Sequence, residues 1–217
     1  MPIRVGLAHA AREGKHRSLD PNQITILVMG GSQGAHALNE IVTRALCECH
    51  QVGHKLQVIH LAGQHDYQAV KQNYGKSGVS AAVYGFTQDM ASIYQKTDLA
   101  ISRSGAATCA ELSAFGVPAL LIPYPYASKD HQTANSRAME KIGAAEMVPE
   151  YDLSASWLKD YVSQCIQTPG RLARMSAATK KRASRRGAEA LADLVEEVAR
   201  GEPALLNDSG TPSGHGH

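Results

Sequence analysis

The sequence predicts an α/β fold in which helices cover both faces of a parallel sheet. Short apolar runs alternate along the chain with segments whose apolar residues have helical spacing, and this alternation is typical of parallel sheets. The apolar runs are unbroken, as expected for strands that are buried on both faces. We therefore expect one doubly wound domain from about Gln23 to Glu150.

The expected strands and helices follow from these runs in order. The predicted strands are Ile24–Met29, Leu56–Leu61, Ala81–Phe86, Leu99–Ser102, Ala119–Pro123 and Ala145–Val148. The predicted helices of the sheet domain are Ala35–Cys49, Asp66–Tyr74, Gln88–Lys96, Ala106–Phe115 and Asp130–Ile142. Outside residues 23–150, we expect a lead-in segment at residues 1–22, helices packing on the domain at 151–200 (Ser154–Cys165 and Leu172–Arg200), and a flexible tail at 201–217.

The composition argues against several classes of function. The formal net charge is +2 and only 5% of residues are aromatic, so neither a basic field nor a base-stacking surface indicates nucleic acid. The cysteines have no disulfide-framework spacing, which favours a reducing compartment. Cys47 and Cys49 would point to different faces of a helix, and no second ligand pair follows at zinc-like spacing, so we expect no metal site. No apolar run reaches the roughly 18 residues that span a bilayer.

The stretch GGSQGAHALNE follows the first predicted strand. Gly30, Gly31 and Gly34 permit a tight turn and a close backbone approach. The helix from Ala35 would point its N-terminal N–H groups into this loop, which favours phosphate oxygens, and Ser32 could add a hydroxyl donor. The pattern matches neither a Walker loop nor the dinucleotide fingerprint. The alternative is a tight turn that binds nothing.

Two further loops follow predicted strands. In SRSGAATCAE (Ser102–Glu111), the carboxylate of Glu111 could accept hydrogen bonds from two ribose hydroxyls, while Arg103 could be structural or face phosphate. The alternative is that Thr108 and Glu111 form a capping box.

In PYPYASKDHQTANS (123–136), a helix start carries Asp130, His131 and Gln132, whose donors and acceptors suit a polyhydroxylated ligand such as a sugar. Asp130 could instead only cap that helix, and His131 could be a surface histidine.

In this order, the stretches resemble the C-terminal domain of the MurG family, the N-acetylglucosaminyltransferases that make lipid II from lipid I. PIRVG resembles the inter-domain segment of the family, and GGSQGAHALN its phosphate loop. GFTQDMASIYQKTDLAISRSGAATCAEL and GVPALLIPYPYASKDHQTANS resemble its two later substrate-binding blocks. The resemblance runs from Pro2 to about Glu150, with a weaker helical match beyond.

The resemblance implies a Rossmann-like sheet, namely the C-terminal half of a GT-B glycosyltransferase, which binds UDP-N-acetylglucosamine without a cofactor or a metal. The implied substrate-binding residues are Arg4, Ser32, Gln33, Gly34, Thr87, Ala106, Ala107, Thr108, Glu111, Asp130, Gln132 and Asn135. Arg4 and Ser32 would bind the diphosphate, and the backbone at Thr87 the uracil.

The other implied roles concern the second and third loops. Ala106, Ala107 and Thr108 would contact phosphate or sugar, and Glu111 the ribose. Gln132 would bind the N-acetylglucosamine hydroxyls, with Asp130 and Asn135 shaping that loop.

The N-terminal domain of the family, with its own glycine-rich loop, its acceptor site and its general base, has no match in this sequence. The expectation is therefore a donor-binding half that cannot transfer sugar alone and reaches lipid I through a second, N-terminal half. The expected reaction is an inverting displacement in which helix N-termini near Ser32 and Ala106 stabilise the departing diphosphate. The catalytic residues are unknown.

The resemblance also implies a cytoplasmic protein that is peripheral on the inner face of the cell membrane. KKRASRR (180–186) could be attracted to anionic lipid there, or it could be a solvated helix face. Three alternatives remain open: the catalytic subunit of a split dolichol-linked N-acetylglucosaminyltransferase, a nucleotide-sugar-binding module without transfer activity, and an NAD-dependent oxidoreductase.

Overall fold

Six parallel strands form one sheet in the computed structural model, which describes Leu7, Ala10, Ala11 and residues 23–30, 35–125 and 130–182, with side chains to Thr179. The strands lie in the order β3-β2-β1-β4-β5-β6. Their bounds are β1 Ile24–Met29, β2 Leu56–Leu61, β3 Ser80–Tyr84, β4 Leu99–Ser102, β5 Ala119–Leu121 and β6 Ala145–Met147. The predicted α/β class with a parallel sheet is confirmed.

Helices connect the strands and continue after the last one. Their bounds are α1 His36–Gln51, α2 Gly63–Ser77, α3 Met90–Lys96, α4 Ala106–Phe115, α5 His131–Lys141, α6 Ala155–Gln167 and α7 Arg171–Arg182, with a short 3₁₀ helix at Glu150–Asp152. α6 begins at a capped residue, since the hydroxyl of Ser154 accepts from the N–H of Trp157 at 3.2 Å. The predicted helix Leu172–Arg200 is described only as far as Arg182.

Each face of the sheet packs against its own apolar layer, because successive strand residues point to opposite faces. Ile26 and Val28 belong to the cluster that includes residues of α1, α2 and α6, whereas Leu27 and Met29 belong to the cluster that includes residues of α3, α4 and α5. Leu7 is buried in the second cluster. Both faces of the sheet are therefore covered, which explains why its strands read as unbroken apolar runs.

Several predicted bounds were wrong, among them the start of α2 and the end of β3. α2 begins at Gly63 rather than Asp66. The prediction missed this start because the preceding residue, Ala62, has no capping side chain that a sequence pattern could show. β3 ends at Tyr84, whose carbonyl accepts from the N–H of Ala62 at 2.9 Å. The residues after Tyr84 form a loop at the edge of the sheet instead of extending the strand.

Polar side chains are buried between α1, α2 and β2. The His60 ring is fully buried, with Nδ1 3.1 Å from the hydroxyl of Tyr74 and Nε2 3.0 Å from Oδ1 of Asn39. Asn39 Nδ2 donates to the carbonyl of Ala62 at 2.9 Å and to Asp66 Oδ2 at 2.7 Å. Burial lowers the pKa of His60 to about 3, so the ring is neutral at physiological pH. This network fixes the start of α2 against α1.

Candidate functional site

A cleft of about 1300 Å³ opens at the carboxyl ends of the first four strands. Met29 of β1, Leu61 of β2, the loop after β3 and Arg103 after β4 line it. The strand order reverses its direction of winding between β1 and β4, and open parallel sheets bind ligands at such a switch point. The side chains in its wall that carry hydrogen-bonding or charged groups include His36, Gln64, Asp66, Thr87, Thr108 and Glu111.

Glu111 lies inside helix α4 and is held by a buried tyrosine. The hydroxyl of Tyr94, on α3, donates to Glu111 Oε2 at 2.8 Å and lies 3.9 Å from the sulfur of Met29. Tyr94 is only 1% exposed, and its ring packs 5.1 Å from that of Phe115. One carboxylate oxygen is thus fixed by a rigid donor at the wall of the cleft.

The capping-box alternative for Thr108 and Glu111 is wrong. α4 begins at Ala106, and its preceding residue is Gly105, which has no side chain to cap it. Thr108 is therefore within the first turn, and Glu111 lies beyond that turn. A glycine in this position leaves the first N–H groups of α4 open to an external acceptor.

Gly30, directly after β1, lies too close to Ala35 to carry a side chain without a shift of the backbone. A Cβ atom there would lie 2.9 Å from Cβ of Ala35 and 3.1 Å from its backbone nitrogen. The close backbone approach to phosphate that the glycines predict stays a prediction. The predicted ligand contacts Arg4, Ser32, Gln33 and Gly34 lie outside the described residues.

Arg103 is buried and forms contacts with the loop after β5. Its guanidinium donates to the carbonyls of Ile122 and Pro123, each at 3.3 Å, and lies 5.4 Å from the ring of Tyr124. It also pairs with Glu150 Oε2 at 2.9 Å. These contacts support the structural reading of Arg103. The sequence analysis missed Glu150, since no local pattern relates it to Arg103.

The start of α5 is anchored to the loops after β4 and β5. Oε1 of Gln132 accepts from the backbone N–H of Ser104 at 3.3 Å and of Tyr124 at 2.9 Å. Nδ2 of Asn135 donates to the carbonyl of Ser104 at 2.8 Å, while its Oδ1 is buried with no hydrogen-bond partner among the described residues. Gln132 and Asn135 thus fix where this helix begins.

Asp130 directly precedes α5 but does not cap it through its side chain. Its φ of 54° is in the left-handed region. No other non-glycine residue among the described ones has such a φ. The simple capping alternative is therefore wrong for Asp130. His131 is exposed, as expected if it is a surface histidine.

The predicted ligand contacts fall into two groups in the structure. Thr87, Thr108 and Glu111 line the cleft. Ala106 and Ala107 are exposed in the first turn of α4. Asp130, Gln132 and Asn135 are not among the residues that line it, and they gather instead around Ser104 and the start of α5. The sugar-binding role predicted for this second group stays a prediction.

A histidine–aspartate pair at the cleft was missed by the sequence analysis. Nδ1 of His36 lies 2.8 Å from Oδ1 of Asp66. Burial opposes ionisation of Asp66, but hydrogen bonds from His36 and Asn39 outweigh it and lower the pKa of the carboxyl. The hydrogen bond to Asp66, and then the negative charges of Asp66 and Glu40, raise the pKa of His36. The two partners are 30 residues apart, so spacing alone gave no signal.

The doubly wound parallel sheet, with helices α1 and α4 starting after β1 and β4, defines a Rossmann-like α/β domain. Residues 25–191 match the glycosyltransferase family 28 C-terminal domain. The chain belongs to this family.

Two bacterial proteins illustrate the similarity to named relatives. A Syntrophus aciditrophicus protein named "UDP-N-acetylglucosamine--N-acetylmuramyl-(pentapeptide) pyrophosphoryl-undecaprenol N-acetylglucosamine transferase" is 41% identical over 175 residues, covering 81% of this chain and 48% of the relative. A Paraburkholderia phymatum protein of the same name is 38% identical over 210 residues, covering 94% of this chain and 55% of the relative.

The crystal structure of MurG from Acinetobacter baumannii superposes on this chain with a TM-score of 0.70 at 30% identity, covering 88% of this chain and 53% of that one. The resemblance to the MurG family is confirmed. The chain spans about half the length of the curated relatives it matches.

We predict that Tyr94 and Glu111 stabilise the fold as a coupled pair. In a double-mutant cycle of Tyr94→Phe with Glu111→Gln, the coupling in the free energy of unfolding should be about 1 to 3 kcal/mol, since the hydrogen bond ends on a carboxylate. Urea unfolding of the four proteins measures it.

The matched control pairs Tyr67→Phe with Glu111→Gln. The hydroxyl of Tyr67 lies 3.4 Å from Nζ of Lys71 on the exposed side of α2, so these two changes should be additive. A Tyr94–Glu111 coupling that does not exceed that of the control would contradict the positioning role of Tyr94.

Proposed function

We propose that this chain is the donor-binding half of an inverting N-acetylglucosaminyltransferase, which binds UDP-N-acetylglucosamine for transfer to lipid I. The observation that carries the proposal is the carboxylate of Glu111, held by Tyr94 at the wall of the switch-point cleft. A fixed carboxylate there can accept from both ribose hydroxyls of a nucleotide. The names of the two bacterial relatives support the choice of donor and acceptor.

The donor would lie along the ends of β3 and β4. The backbone at Thr87 binds the uracil, and Glu111 binds the ribose. The N–H groups at Ala106, Ala107 and Thr108 bind the diphosphate, because α4 starts without a side-chain cap. Arg4, Ser32, Gln33 and Gly34 are proposed to complete the phosphate contacts.

The N-acetylglucosamine would face the start of α5. Nε2 of Gln132 can donate to a sugar hydroxyl while Oε1 accepts from the backbone of Ser104 and Tyr124. Asp130 and Asn135 shape this turn. The left-handed backbone of Asp130 supports a functional role for it, since strained residues cluster at ligand sites.

The proposed reaction is a direct displacement at the anomeric carbon. A hydroxyl oxygen of lipid I forms a bond to that carbon, the bond from the carbon to the β-phosphate oxygen breaks, and UDP leaves with the electron pair. A base takes the hydroxyl proton. Negative charge builds on the departing diphosphate, and the N-terminus of α4 stabilises it. We propose that the base and the lipid site come from the half of the relatives that this chain does not span.

The sequence alternatives are less well supported. The two bacterial relatives are named for an undecaprenol-linked acceptor rather than a dolichol-linked one. A binding module without transfer activity would show the same cleft, and only an assay of the completed enzyme separates it from a donor-binding half.

We predict that UDP-N-acetylglucosamine binds this chain through Glu111. In calorimetric titration it should bind more tightly than UDP-glucose, and NADH should not bind. Glu111→Gln should weaken binding by roughly 10- to 100-fold, because hydrogen bonds to a charged acceptor contribute about 1.5 to 3 kcal/mol.

Glu140→Gln, an exposed change on α5, is the matched control and should leave the affinity unchanged. Equal affinities of Glu111→Gln and the natural chain would contradict the ribose contact, and tight binding of NADH would favour the oxidoreductase alternative.

We also propose that the protein works in the cytoplasm as a peripheral protein on the inner face of the cell membrane. None of the described helices is both long and apolar enough to cross a bilayer. Lys180–Arg182 end α7, and the rest of the basic stretch to Arg186 lies outside the described residues. These charges can attract anionic lipid at about 1 kcal/mol each.

Binding to vesicles that contain anionic lipid should therefore fall with added salt and with charge reversal of Lys180 and Lys181. Neutral vesicles are the control, and charge reversal of Lys76, at the end of α2, is the matched variant. Vesicle binding that ignores both salt and the Lys180/Lys181 change would contradict the electrostatic contact.

A further inference from the structure

One charged pair at the cleft has no role in the proposed function. We infer that His36, held in place by Asp66, binds the diphosphate of the donor in its protonated form, so that donor affinity falls as the pH rises. This inference rests on the proposed function and adds a residue to the same site. It also predicts a regulatory property, since the affinity depends on pH.

His36 is placed where a phosphate contact is possible. It is the first residue of α1 and directly follows Ala35, which lies close to Gly30, and it lines the cleft together with Thr108 and Glu111. Its side chain is 71% exposed, so a ligand can reach it. An imidazolium at this position can donate a charge-assisted hydrogen bond to a phosphoryl oxygen.

Asp66 fixes the orientation of the ring. Oδ1 of Asp66 lies 2.8 Å from Nδ1 of His36, and Oδ2 accepts from the buried Asn39 at 2.7 Å. Asn39 in turn bonds to His60 and to the carbonyl of Ala62. With Nδ1–H directed to Asp66, Nε2 is the nitrogen that gains or loses the second proton.

Nε2 has only a weak competing partner in the described structure. Glu40 Oε1 is 3.4 Å away, and its side chain is 69% exposed. An ion pair between such exposed groups contributes little and can be exchanged for a diphosphate oxygen. A ligand that carries two phosphates offers more negative charge than one carboxylate.

Because of Asp66, an anion binds well at this place only when His36 is protonated. Asp66 lines the cleft, and its side chain is 15% exposed, so its negative charge acts on any anion bound there. A protonated His36 neutralises this charge, whereas a neutral His36 leaves it uncompensated. Loss of one proton therefore removes an attraction and restores a repulsion.

The other charges around the pair set the direction of the effect. Asp66 and Glu40 raise the pKa of His36 above its usual 6.5. His65, on α2, lowers the pKa of Asp66. Arg103 and Glu111 are charged residues that line the same cleft. Below its raised pKa His36 is charged and binding is strong; as the pH rises through that pKa the charge and the added affinity are lost.

A purely structural role is the competing explanation. The pair could only hold the start of α1 against α2. That role would change stability when His36 is replaced, but it would not link donor affinity to pH. The two explanations therefore differ in whether the donor affinity of the folded protein depends on pH through His36.

The test measures the affinity for UDP-N-acetylglucosamine at about pH 6.5, 7.5 and 8.5 by calorimetry, a range that begins at the ordinary pKa of histidine and extends above it. Both ends of this diphosphate are esterified, so its phosphates do not titrate in that range. The natural chain should lose roughly tenfold in affinity across it, comparable to one charge-assisted hydrogen bond. His36→Gln should bind weakly with no such fall. His36→Arg should bind tightly at every pH.

Two controls isolate the phosphate contact. Uridine, which has no phosphate, should bind the natural chain with the same affinity at each pH. His54→Gln removes a histidine that bonds to Ser163 at 3.0 Å, away from the cleft, and should keep the natural pH profile. Circular dichroism confirms that each variant is folded.

The outcomes separate this inference from the proposed function. An affinity that falls equally in His36→Gln and in the natural chain, or that does not fall in the natural chain, overturns the role of His36 while the donor site stands. If the natural chain binds no UDP-N-acetylglucosamine at any pH, the proposed function fails and the inference fails with it.

Discussion

The parallel register of β1 with β4 is the constraint on which the site depends. Met29 pairs with Ser102, so the two strands end side by side. From this point the chain leaves in opposite directions, with α1 packing on one face of the sheet and α4 on the other. The cleft, the close contact of Gly30 with Ala35 and the uncapped start of α4 all lie at this edge. A change in that register would separate them.

Buried polar contacts then fix the side chains around this edge. Tyr94 holds Glu111, and Arg103 joins the loop after β5 to Glu150. Buried polar groups of this kind are stable only when paired, and pairing limits each to one arrangement. A rigid site loses little conformational entropy when a ligand binds. The same wall also carries His36, whose pKa is raised by its hydrogen bond to Asp66.

The strand and helix pattern could be predicted because it depends on local apolar periodicity. β1, β2, β4 and α4 have the predicted bounds, since each is a buried run or helix between clear turn residues. The start of α2 could not be predicted, because Ala62 gives no capping signal. The capping box failed because Thr108 and Glu111 have the right spacing but lie within the helix, after Gly105.

The candidate site was predictable only where one loop carries the signal. Glu111 and Thr108 follow β4 directly, and both line the cleft. The partners that position side chains there come from distant parts of the chain, as with Arg103 and Glu150 or His36 and Asp66. No spacing rule relates such residues, because only the folded sheet brings them together. Physical reasoning about pairs therefore needs the three-dimensional structure.

The most direct test of the account is to map UDP-N-acetylglucosamine on the isotopically labelled chain by NMR. The account predicts that backbone signals at Thr87, from Ala106 to Glu111 and around Gln132 shift together and saturate at one affinity. Signals on α6, such as that of Trp157, should remain in place. Shifts confined to other surfaces, or no shift at the start of α4, would contradict the claim that the switch-point cleft binds the donor.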